Sequence, residues 1–469
     1  MKFKTNKYNY TKMNCNFLLV NKTGKWIFLT EENFNKFNSG NVDTDSNLFN
    51  NLKKQEFLCG VDCEHKFDFP VKKYSFLCQG PTLHIIILTD LCNLNCVYCQ
   101  ASSLNDIKTA KKMDGETAKK TIDFIFQSTS KNISIEFQGG EPLLNFDIIQ
   151  YIIEYAKNLN LDYKKNLNFA FTTNFQLLDE EKLLYLIRNK VGLCTSLDGP
   201  KELHDSQRKS FGKSNHDIIC YWIERIKQLK DEEQIPQNYK AHALITVTKE
   251  SLKYPKEIVD EYVKLGFDVI HPRHLNKIGV AKKTWKQIGY SAEEFVNFWK
   301  KTMDYIIELN KKNIWIKERL TLIILKKILW HFEPNYTELR SPCGACISQL
   351  VYSPEGNVYS CDEGRMLQDN LFKIGNIHKK QSGVIINENS LSIIMSSIND
   401  LQQCDDCVWQ PYCGLCPVLN YAEFGSLIVD VNKTMRCKIF KETFRYIFEK
   451  ILFDEEAKNI FIKWLESEK

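Results

Sequence analysis

The sequence lacks several features that would assign it to broad classes of protein. No uninterrupted apolar run reaches the ~18 residues that a membrane-spanning helix requires, and residues 1–10 have no apolar centre typical of a secretion signal. The net charge of +5 over 469 residues is small, and no dense Lys/Arg block forms a basic face. We therefore expect a cytoplasmic protein with neither nucleic acid nor membrane as a partner.

Cysteine, in contrast, is abundant, with 17 residues in the chain. In a reducing compartment, clustered cysteines more often bind metal or take part in chemistry than form disulfides. Eleven of them fall into three compact groupings: Cys92, Cys96 and Cys99; Cys343, Cys346 and Cys361; and Cys404, Cys407, Cys413, Cys416 and Cys437. This clustering predicts metal centres in two separate parts of the chain.

The middle of the chain, residues 82–272, alternates between two kinds of pattern. Short β-rich runs are predicted at 84–88, 133–137, 167–172, 192–197, 243–247 and 269–270. Amphipathic helices are predicted between them, at 114–126, 147–156, 180–187, 217–229 and 255–265. Strands alternating with helices indicate an α/β fold with a parallel sheet. Six units make a partial (βα)6 barrel or an open sheet, with chemistry at the carboxyl ends of the strands.

The remaining segments complete the predicted domain organisation. Residues 1–80 read as a small α+β domain, with strands at 17–20 and 25–29 and helices at 30–37 and 48–57. The barrel is assigned to 81–280, a helical connection to 281–340 and a Cys-rich domain to 341–440. One amphipathic helix at 440–464 is predicted to fill the C-terminal segment 441–469.

The first cysteine grouping has the spacing C-x3-C-x2-C and directly follows the first predicted barrel strand. Three thiolates can hold three irons of a [4Fe–4S] cube and leave the fourth iron open to a substrate or cofactor. A structural zinc site is the alternative. Zinc normally takes four ligands, and no fourth Cys or His lies close by in sequence.

This arrangement resembles the radical S-adenosylmethionine (SAM) superfamily, over about residues 82–272 and including Tyr98 before the third cysteine. The resemblance implies that SAM chelates the open iron. It also implies that one electron from the reduced cluster cleaves the sulfonium bond, so that a 5′-deoxyadenosyl radical abstracts hydrogen from a substrate. An electron donor such as flavodoxin or ferredoxin is implied as a partner.

The resemblance also implies which residues contact SAM. Gly139 and Gly140 are expected to let the backbone approach a ligand, and Glu141 to accept hydrogen bonds from the SAM ammonium. Arg208 is expected to pair with the SAM carboxylate, with Arg273 as a weaker candidate. For each residue, a turn or cap role is the alternative. The full set of expected cofactor contacts is Tyr98, Gly139, Gly140, Glu141, Pro142, Thr173, Asn174, Ser196, Asp198 and Arg208.

The C-terminal cysteines resemble the SPASM extension of radical SAM peptide-modifying enzymes. That resemblance implies two auxiliary [4Fe–4S] clusters, one on Cys343, Cys346, Cys361 and Cys416, the other on Cys404, Cys407, Cys413 and Cys437. Only two residues separate Cys413 from Cys416, whereas the usual pattern has three, so the partition stays open. Two zinc ribbons are the alternative.

Outside these groups, Cys59, Cys63 and Cys78 form a weaker candidate metal group. Cys194 is expected to be a small buried hydrophobe in a core strand. Asp362 follows Cys361, and the related sulfatase-maturating enzymes have a proton-accepting Asp at the matching position. Asp362 is therefore the candidate catalytic residue, with a turn role as the alternative.

The overall layout is most similar to the His-Xaa-Ser-system radical SAM maturases, which implies a ribosomally made precursor peptide as substrate. The N-terminal unit resembles winged-helix-like elements that bind a leader peptide along a strand edge, although it could merely cover the barrel. Whether a second maturase is needed stays open. Two other functions remain as alternatives: an anaerobic sulfatase-maturating-type enzyme that makes formylglycine, and a non-catalytic zinc-dependent binding protein.

Overall fold

The structure is a computed structural model that describes residues 3–59, 74–379 and 386–468. At the N-terminus, β1 (Lys4–Thr5) pairs with β5 (Leu58–Cys59), and β2 (Tyr8–Met13), β3 (Asn16–Asn21) and β4 (Trp26–Thr30) form an antiparallel sheet in that order. Helices α1 (Glu31–Asn38) and α2 (Asn47–Lys54) follow, with N-caps at Thr30 and Ser46. The sequence predicted β3, β4 and both helices. It missed β2, whose polar, half-exposed residues carry little hydrophobic signal.

Six parallel strands form the barrel part of the central sheet, and five of them lie at the predicted runs. The six are β6 (Leu83–Ile87), β8 (Asn132–Gln138), β9 (Asn166–Thr172), β10 (Val191–Ser196), β12 (His242–Thr246) and β14 (Pro272–Arg273). Two short strands lie over their carboxyl ends and pair with each other, β7 (Leu94–Cys96) and β11 (Arg208–Ser210). The intervening helices are α3 (Gly115–Phe126), α4 (Phe146–Tyr163), α5 (Glu180–Arg188), α6 (Lys201–Gln207), α7 (Asn215–Asp231) and α8 (Pro255–Lys264).

The sixth predicted strand was misplaced. The run at 269–270 forms β13 (Val269–Ile270), which pairs with β15 (Lys317–Glu318) outside the main sheet. The strand beside β12 is instead Pro272–Arg273. Proline cannot donate a ladder hydrogen bond, and it is tolerated here because β14 lies at the edge of the sheet.

Along each barrel strand, side chains point alternately towards the helical layer and towards the barrel interior. Ile133, Ile135 and Phe137 of β8 are fully buried among the residues of the helical layer. Glu136, between them, lines the cavity inside the barrel, as does Cys194 of β10. The expectation that Cys194 is a buried core residue was therefore wrong, because its side chain faces the cavity.

The C-terminal half continues the barrel sheet. Helices α9 (Val280–Ile288), α10 (Ala292–Lys311) and α11 (Arg319–Leu329) make the predicted helical connection. Then β16 (Gln349–Tyr352) pairs in parallel with β6, and β17 (Asn357–Tyr359) and β18 (Lys373–Asn376) extend the sheet in antiparallel fashion. The resulting order is β14-β12-β10-β9-β8-β6-β16-β17-β18. The Cys-rich region also contains the helices α12 (Asp362–Leu367), α13 (Glu388–Ser396) and α14 (Pro417–Phe424).

The closing segment is two helices, and the prediction of a single helix was wrong. They are α15 (Met435–Phe453) and α16 (Glu455–Glu466). Asp454 separates them, with an extended backbone and a side chain that accepts a hydrogen bond from the Ala457 amide at 3.0 Å. An aspartate that caps a new helix in this way ends the previous one. Within the described part of the chain, no helix combines the length and apolarity needed to cross a membrane.

Candidate functional site

The three cysteines of the C-x3-C-x2-C loop lie at the carboxyl end of β6, around a cavity of about 240 Å³. The loop is fixed by backbone pairing, because β7 carries Cys96 and pairs with β11 so that Cys96 lies opposite Arg208. Backbone amides of Leu94 and Ser103 donate to the sulfurs of Cys92 and Cys99, each at 3.4 Å. The same cavity is lined by eight of the ten predicted cofactor residues, namely Tyr98, Gly139, Gly140, Glu141, Thr173, Asn174, Ser196 and Arg208.

The chemistry of this donor set fits a bound cationic centre. Burial raises the pKa of both Cys92 and Cys96 to about 12, so that neither thiol loses its proton at neutral pH without compensation. A coordinated metal provides that compensation, since it deprotonates a ligating thiol.

The spacing of the thiols argues against zinc. A tetrahedral zinc site has Zn–S bonds of about 2.3 Å, which places neighbouring sulfurs roughly 3.8 Å apart. In the described ranges, only one group of three Cys, His, Asp or Glu ligand atoms lies within 4.8 Å of one another, and it contains none of the clustered cysteines. Both thiol-rich regions are therefore more open than a zinc tetrahedron.

Gly139 and Gly140 line the cavity and also pack closely against the protein backbone, and their expected approach to a ligand stays a prediction. A Cβ on Gly139 would lie 2.5 Å from the Thr89 carbonyl oxygen, and one on Gly140 would lie 2.2 Å from that of Leu91. The Gly140 amide donates to the Thr89 carbonyl at 2.7 Å. The two glycines thus hold the segment that leads into Cys92.

Glu141 also points inward. Its carboxylate accepts hydrogen bonds from the Thr173 hydroxyl at 2.7 Å and from the amides of Asn174 at 2.9 Å and Leu143 at 3.0 Å. Burial raises its pKa to about 7 despite these donors. The carboxylate joins the ends of β8 and β9 and also lines the cavity, so its expected contact with a SAM ammonium stays a prediction. Pro142 begins the short turn that follows and does not line the cavity.

Arg208 is held by a protein carboxylate. Its Nε donates to Asp198 at 3.0 Å, and the Tyr98 hydroxyl donates to the same Asp198 oxygen at 2.5 Å. The guanidinium lies 5.2 Å from the centre of the Tyr98 ring and 3.9 Å from the Cys96 sulfur. Although burial opposes the charge, Asp198 and Tyr98 raise the pKa of Arg208 above its usual value. Arg208 therefore has an internal partner where a SAM carboxylate was expected. Asp198 is fully buried behind the wall and does not line the cavity.

A second cavity, of about 540 Å³, fills the barrel interior. Glu136, Cys194 and His242 line it from the strands, and Cys343, Cys361, Asp362 and Cys416 line it from the C-terminal region. The two cavities share lining residues, among them Gln138, Thr172 and Arg273. The two cavities are therefore adjacent, one beside the C-x3-C-x2-C loop and the other beside the C-terminal thiols.

The eight C-terminal thiols form two groups. Burial raises the pKa of Cys346, Cys361 and Cys416, and each also lies near enough to Cys343 for thiolate repulsion to add to the rise. Likewise, burial raises the pKa of Cys404 and Cys413 to about 12, and Cys407 and Cys437 add to both shifts. The thiols that raise one another's pKa belong to the same expected set, and the division of ligands between two clusters stays a prediction.

Comparison with known proteins decides the family of the barrel. Residues 86–232 match the model of the Radical SAM superfamily. This chain contains a radical SAM domain. It is 25% identical over 379 residues to the cysteine-type anaerobic sulfatase-maturating enzyme of Clostridium perfringens (strain 13 / Type A), a match that covers 77% of this chain and 94% of the relative.

Two solved structures share the fold of the radical SAM chain. The anSMEcpe structure with bound AdoMet (SAM) superposes with a TM-score of 0.65 at 21% identity, covering 81% of this chain and all of that one. Streptococcus suis SuiB bound to its precursor peptide SuiA superposes with a TM-score of 0.52 at 15% identity, covering 90% and 96%. The radical SAM domain uses a [4Fe–4S] cluster and SAM. The radical SAM barrel predicted from the sequence is confirmed, whereas the His-Xaa-Ser-system subfamily is not.

In this radical SAM chain, Asp362 is held by a neighbour. Arg365 donates to one Asp362 oxygen from both Nε, at 3.1 Å, and Nη2, at 2.9 Å. The sequence missed three further carboxylates of the inner cavity, Glu136, Glu338 and Glu363. Burial raises the pKa of Glu363 to about 7, with Glu338 and Asp362 adding to the rise. The sequence offered one signal for these carboxylates, the position of Glu363 directly after Asp362. It offered none for Glu136 or Glu338.

The remaining predicted residues are Arg273 and three cysteines of the N-terminal region. Arg273 does line both cavities, but it pairs with Glu338 at 3.0 Å. Cys78 is exposed, Cys59 is partly exposed and Cys63 lies outside the described residues. The weaker metal group at these three cysteines therefore stays a prediction.

Proposed function

We propose that this radical SAM enzyme modifies a ribosomally made precursor peptide by abstracting a hydrogen atom from a side chain or α-carbon. The observation that carries the proposal is the adjacency of two cavities, one lined by the C-x3-C-x2-C loop and the other by three of the C-terminal thiols. The inner cavity, of about 540 Å³, matches the size of a site for one residue or a short segment of peptide. When bound, the cluster and SAM supply a one-electron cleavage that generates the hydrogen-abstracting species.

The chain's own residues supply ligands and a fixed wall. Cys92, Cys96 and Cys99 would hold the cluster and leave one position open for SAM. Arg208 is preorganised by Asp198 and Tyr98, so it holds a positive charge beside Cys96 without needing the ligand to orient it. Ser196, Thr173 and Asn174 present the polar lining against which SAM would lie.

The two C-terminal thiol groups would hold two auxiliary [4Fe–4S] clusters. We assign one to Cys343, Cys346, Cys361 and Cys416, and the other to Cys404, Cys407, Cys413 and Cys437. The grouping of neighbouring thiols supports this partition. Three of the first set line the inner cavity, so that cluster would lie beside the substrate and could accept an electron from it.

The N-terminal sheet offers a place for a leader peptide. Its order leaves β2 at one edge, while β4 faces the C-terminal helices, where Trp26 lies edge-on to Phe448 at 5.4 Å. A peptide could add to β2 as a further strand. SuiB, whose structure holds its precursor peptide, shares the fold over 90% of this chain. A flavodoxin- or ferredoxin-type electron donor and, where required, a second maturase belong to the same proposal.

The test is anaerobic incubation of the cluster-loaded chain with SAM, a reductant and candidate precursor peptides, followed by mass spectrometry and assay of 5′-deoxyadenosine. Release of 5′-deoxyadenosine in proportion to a peptide mass loss of about two hydrogens supports crosslinking or oxidation. If the peptide mass does not change, the reaction is repeated in deuterated water. Epimerisation would then introduce one deuterium into the peptide. Peptide-independent release with no change in any peptide contradicts the proposal.

Formylglycine formation is the second candidate, favoured by the 25% identity to a sulfatase-maturating enzyme over 379 residues. Asp362 lies in the inner cavity wall, where a proton acceptor for a Cys or Ser substrate would be needed. Co-expression with a sulfatase tests this candidate. Asp362→Ala should abolish maturation, while Arg365→Gln, which frees the carboxylate, should retain it. Equal loss in both variants would count against a catalytic Asp362.

A further inference from the structure

A group of ligand-type side chains lies on the outer, helical layer of the barrel, apart from all the clustered cysteines. His216 and Cys220 are four residues apart on α7 and therefore share one face, and Glu261 projects towards them from α8. The Nε2 atom of His216 lies 3.0 Å from a Glu261 oxygen, and the Cys220 sulfur lies 3.6 Å from His216 Nδ1 and 3.9 Å from Nε2. This is the single group of three within 4.8 Å noted above for the described ranges.

We propose that His216, Cys220 and Glu261 bind a zinc-type divalent cation, in addition to the iron–sulfur centres. Imidazole, thiolate and carboxylate are the three ligand types that zinc uses. Bonds of about 2.0–2.3 Å in a tetrahedron place ligand atoms roughly 3.3–3.7 Å apart. The observed distances between ligand atoms are 3.0–3.9 Å and span that range. Small side-chain movements would therefore bring the three atoms to bonding distance of one cation. Water, or the carboxylate of Asp217, would take the fourth position.

The burial of two of the three residues favours a metal over an ordinary surface contact. The side chains of His216 and Glu261 are only 6% and 9% exposed, and a buried imidazole and carboxylate gain from a shared cation. Cys220 is partly exposed, which gives a cation a route from solvent.

Lys264 is the present competitor for the carboxylate. Its ammonium lies 3.2 Å from both oxygens of Glu261, but its side chain is 67% exposed. An exposed lysine gains little from such a pair and can swing into water at small cost. Cation binding would therefore exchange a weak ion pair for three metal–ligand bonds.

The proposed site lies directly behind the wall of the SAM cavity. The rings of His216 and His204 meet edge to face with centroids 5.8 Å apart, and His204 Nδ1 accepts a hydrogen bond from the Asp198 amide at 3.2 Å. Asp198 in turn holds Arg208 and Tyr98. A cation joining α7 to α8 would brace this wall. His216, Cys220 and Glu261 would act there as positioning residues, because none of them lines the cavity.

The experiment uses the full, cluster-loaded chain, exposed to Zn²⁺ and then passed through a weak chelator, with zinc and iron measured per chain. Wild type and the matched control Cys194→Ser should each retain one zinc with iron unchanged. Cys220→Ser should lose at least about tenfold in zinc affinity. Zinc should also raise the melting temperature of wild type but leave that of Cys220→Ser unchanged, because a ligand stabilises only a protein that binds it.

Glu261→Gln provides a second variant that keeps the side-chain shape, in case Cys220→Ser folds poorly. It should show the same loss of zinc with normal iron content and circular dichroism. Equal zinc retention in wild type, Cys220→Ser and Glu261→Gln, no retention in wild type, or retention only with loss of iron from the clusters would each overturn the proposal.

Discussion

The two cysteine-rich regions of the molecule are built in opposite ways. The first takes three thiols from a single loop of eight residues that follows β6. In the proposed assignment, the second takes two sets of four from segments that interleave, one set spanning residues 343–416 and the other 404–437. A loop alone can specify three ligands and leave a position open. Completing four ligands twice requires the chain to return on itself, so the second region depends on long-range packing.

Both regions nevertheless solve the same electrostatic problem. Beside Cys96, Arg208 is held by Asp198, and beside Cys413 and Cys416, Arg436 is held by Glu338, with Nη1 3.5 Å from a carboxylate oxygen. Burial raises the pKa of these thiols, and the arginine opposes the rise in each case. In both regions, an arginine lies beside the buried thiols and is itself paired with a carboxylate.

Removing a thiol from the loop should have the largest effect and should separate the regions. Cys96→Ser leaves only two ligands for the open cluster, so we expect SAM cleavage to fall by more than about 100-fold. Iron should fall by about four of roughly twelve atoms per chain. The measurements are 5′-deoxyadenosine release and iron content, with Cys15→Ser, at an exposed cysteine of the N-terminal domain, as the control that should change neither. Substantial cleavage by Cys96→Ser would contradict the three-thiol site.

Double variants in the second region test how its thiols are divided. Cys404→Ser with Cys413→Ser removes two ligands from one group, so iron should fall by only about four atoms. Cys413→Ser with Cys416→Ser takes one ligand from each group and leaves three thiols in both, which is enough to hold a [4Fe–4S] cube, so most of the iron should be retained. In both variants, SAM cleavage should persist while peptide modification is lost. The reverse pattern of iron loss would show that the partition is wrong.

A smaller effect is expected where the loop is packed against the barrel. A Cβ at Gly140 would lie 2.2 Å from the Leu91 carbonyl oxygen, so Gly140→Ala must displace the segment leading into Cys92. We expect a loss of about 1–3 kcal/mol in stability, seen as a lower melting temperature. At Gly212 a Cβ meets nothing within 4 Å, which makes Gly212→Ala the matched control. Equal melting temperatures for the two variants would remove the proposed role of Gly140.

The smallest effect concerns the junction between the regions, where His84 of β6 meets the Tyr352 hydroxyl of β16 at 2.8 Å. Burial lowers the pKa of His84 to about 3, so the folded state keeps it neutral while the unfolded chain binds a proton near pH 6.5. Stability is then fully present above that pH and falls as pH drops, by roughly 1 kcal/mol between pH 6.5 and 5.5. Between pH 6.5 and 5.5, the melting temperature should fall less for His84→Gln than for wild type. An equal fall in the two proteins would contradict this role of His84.

The parts of the molecule that the sequence predicted are those fixed locally. Five of the six barrel strands and the C-x3-C-x2-C loop follow from short-range periodicity and spacing. Strand β16 could not be predicted, because its pairing partner lies far away in the chain. For the same reason, the sequence did not predict the hydrogen bond between Glu141 and Thr173 or the pairing of Arg208 with Asp198, because both depend on tertiary contacts.

The pairing of β16 with β6 also affects how the chain could be shortened. A fragment that stopped before residue 349 would leave the backbone groups of β6 facing water along one side. Such a fragment would be prone to self-association through that strand. The radical SAM barrel and the Cys-rich region therefore cannot be separated as independent modules, and studies of the first cluster alone are better made by replacing the distant cysteines than by truncation.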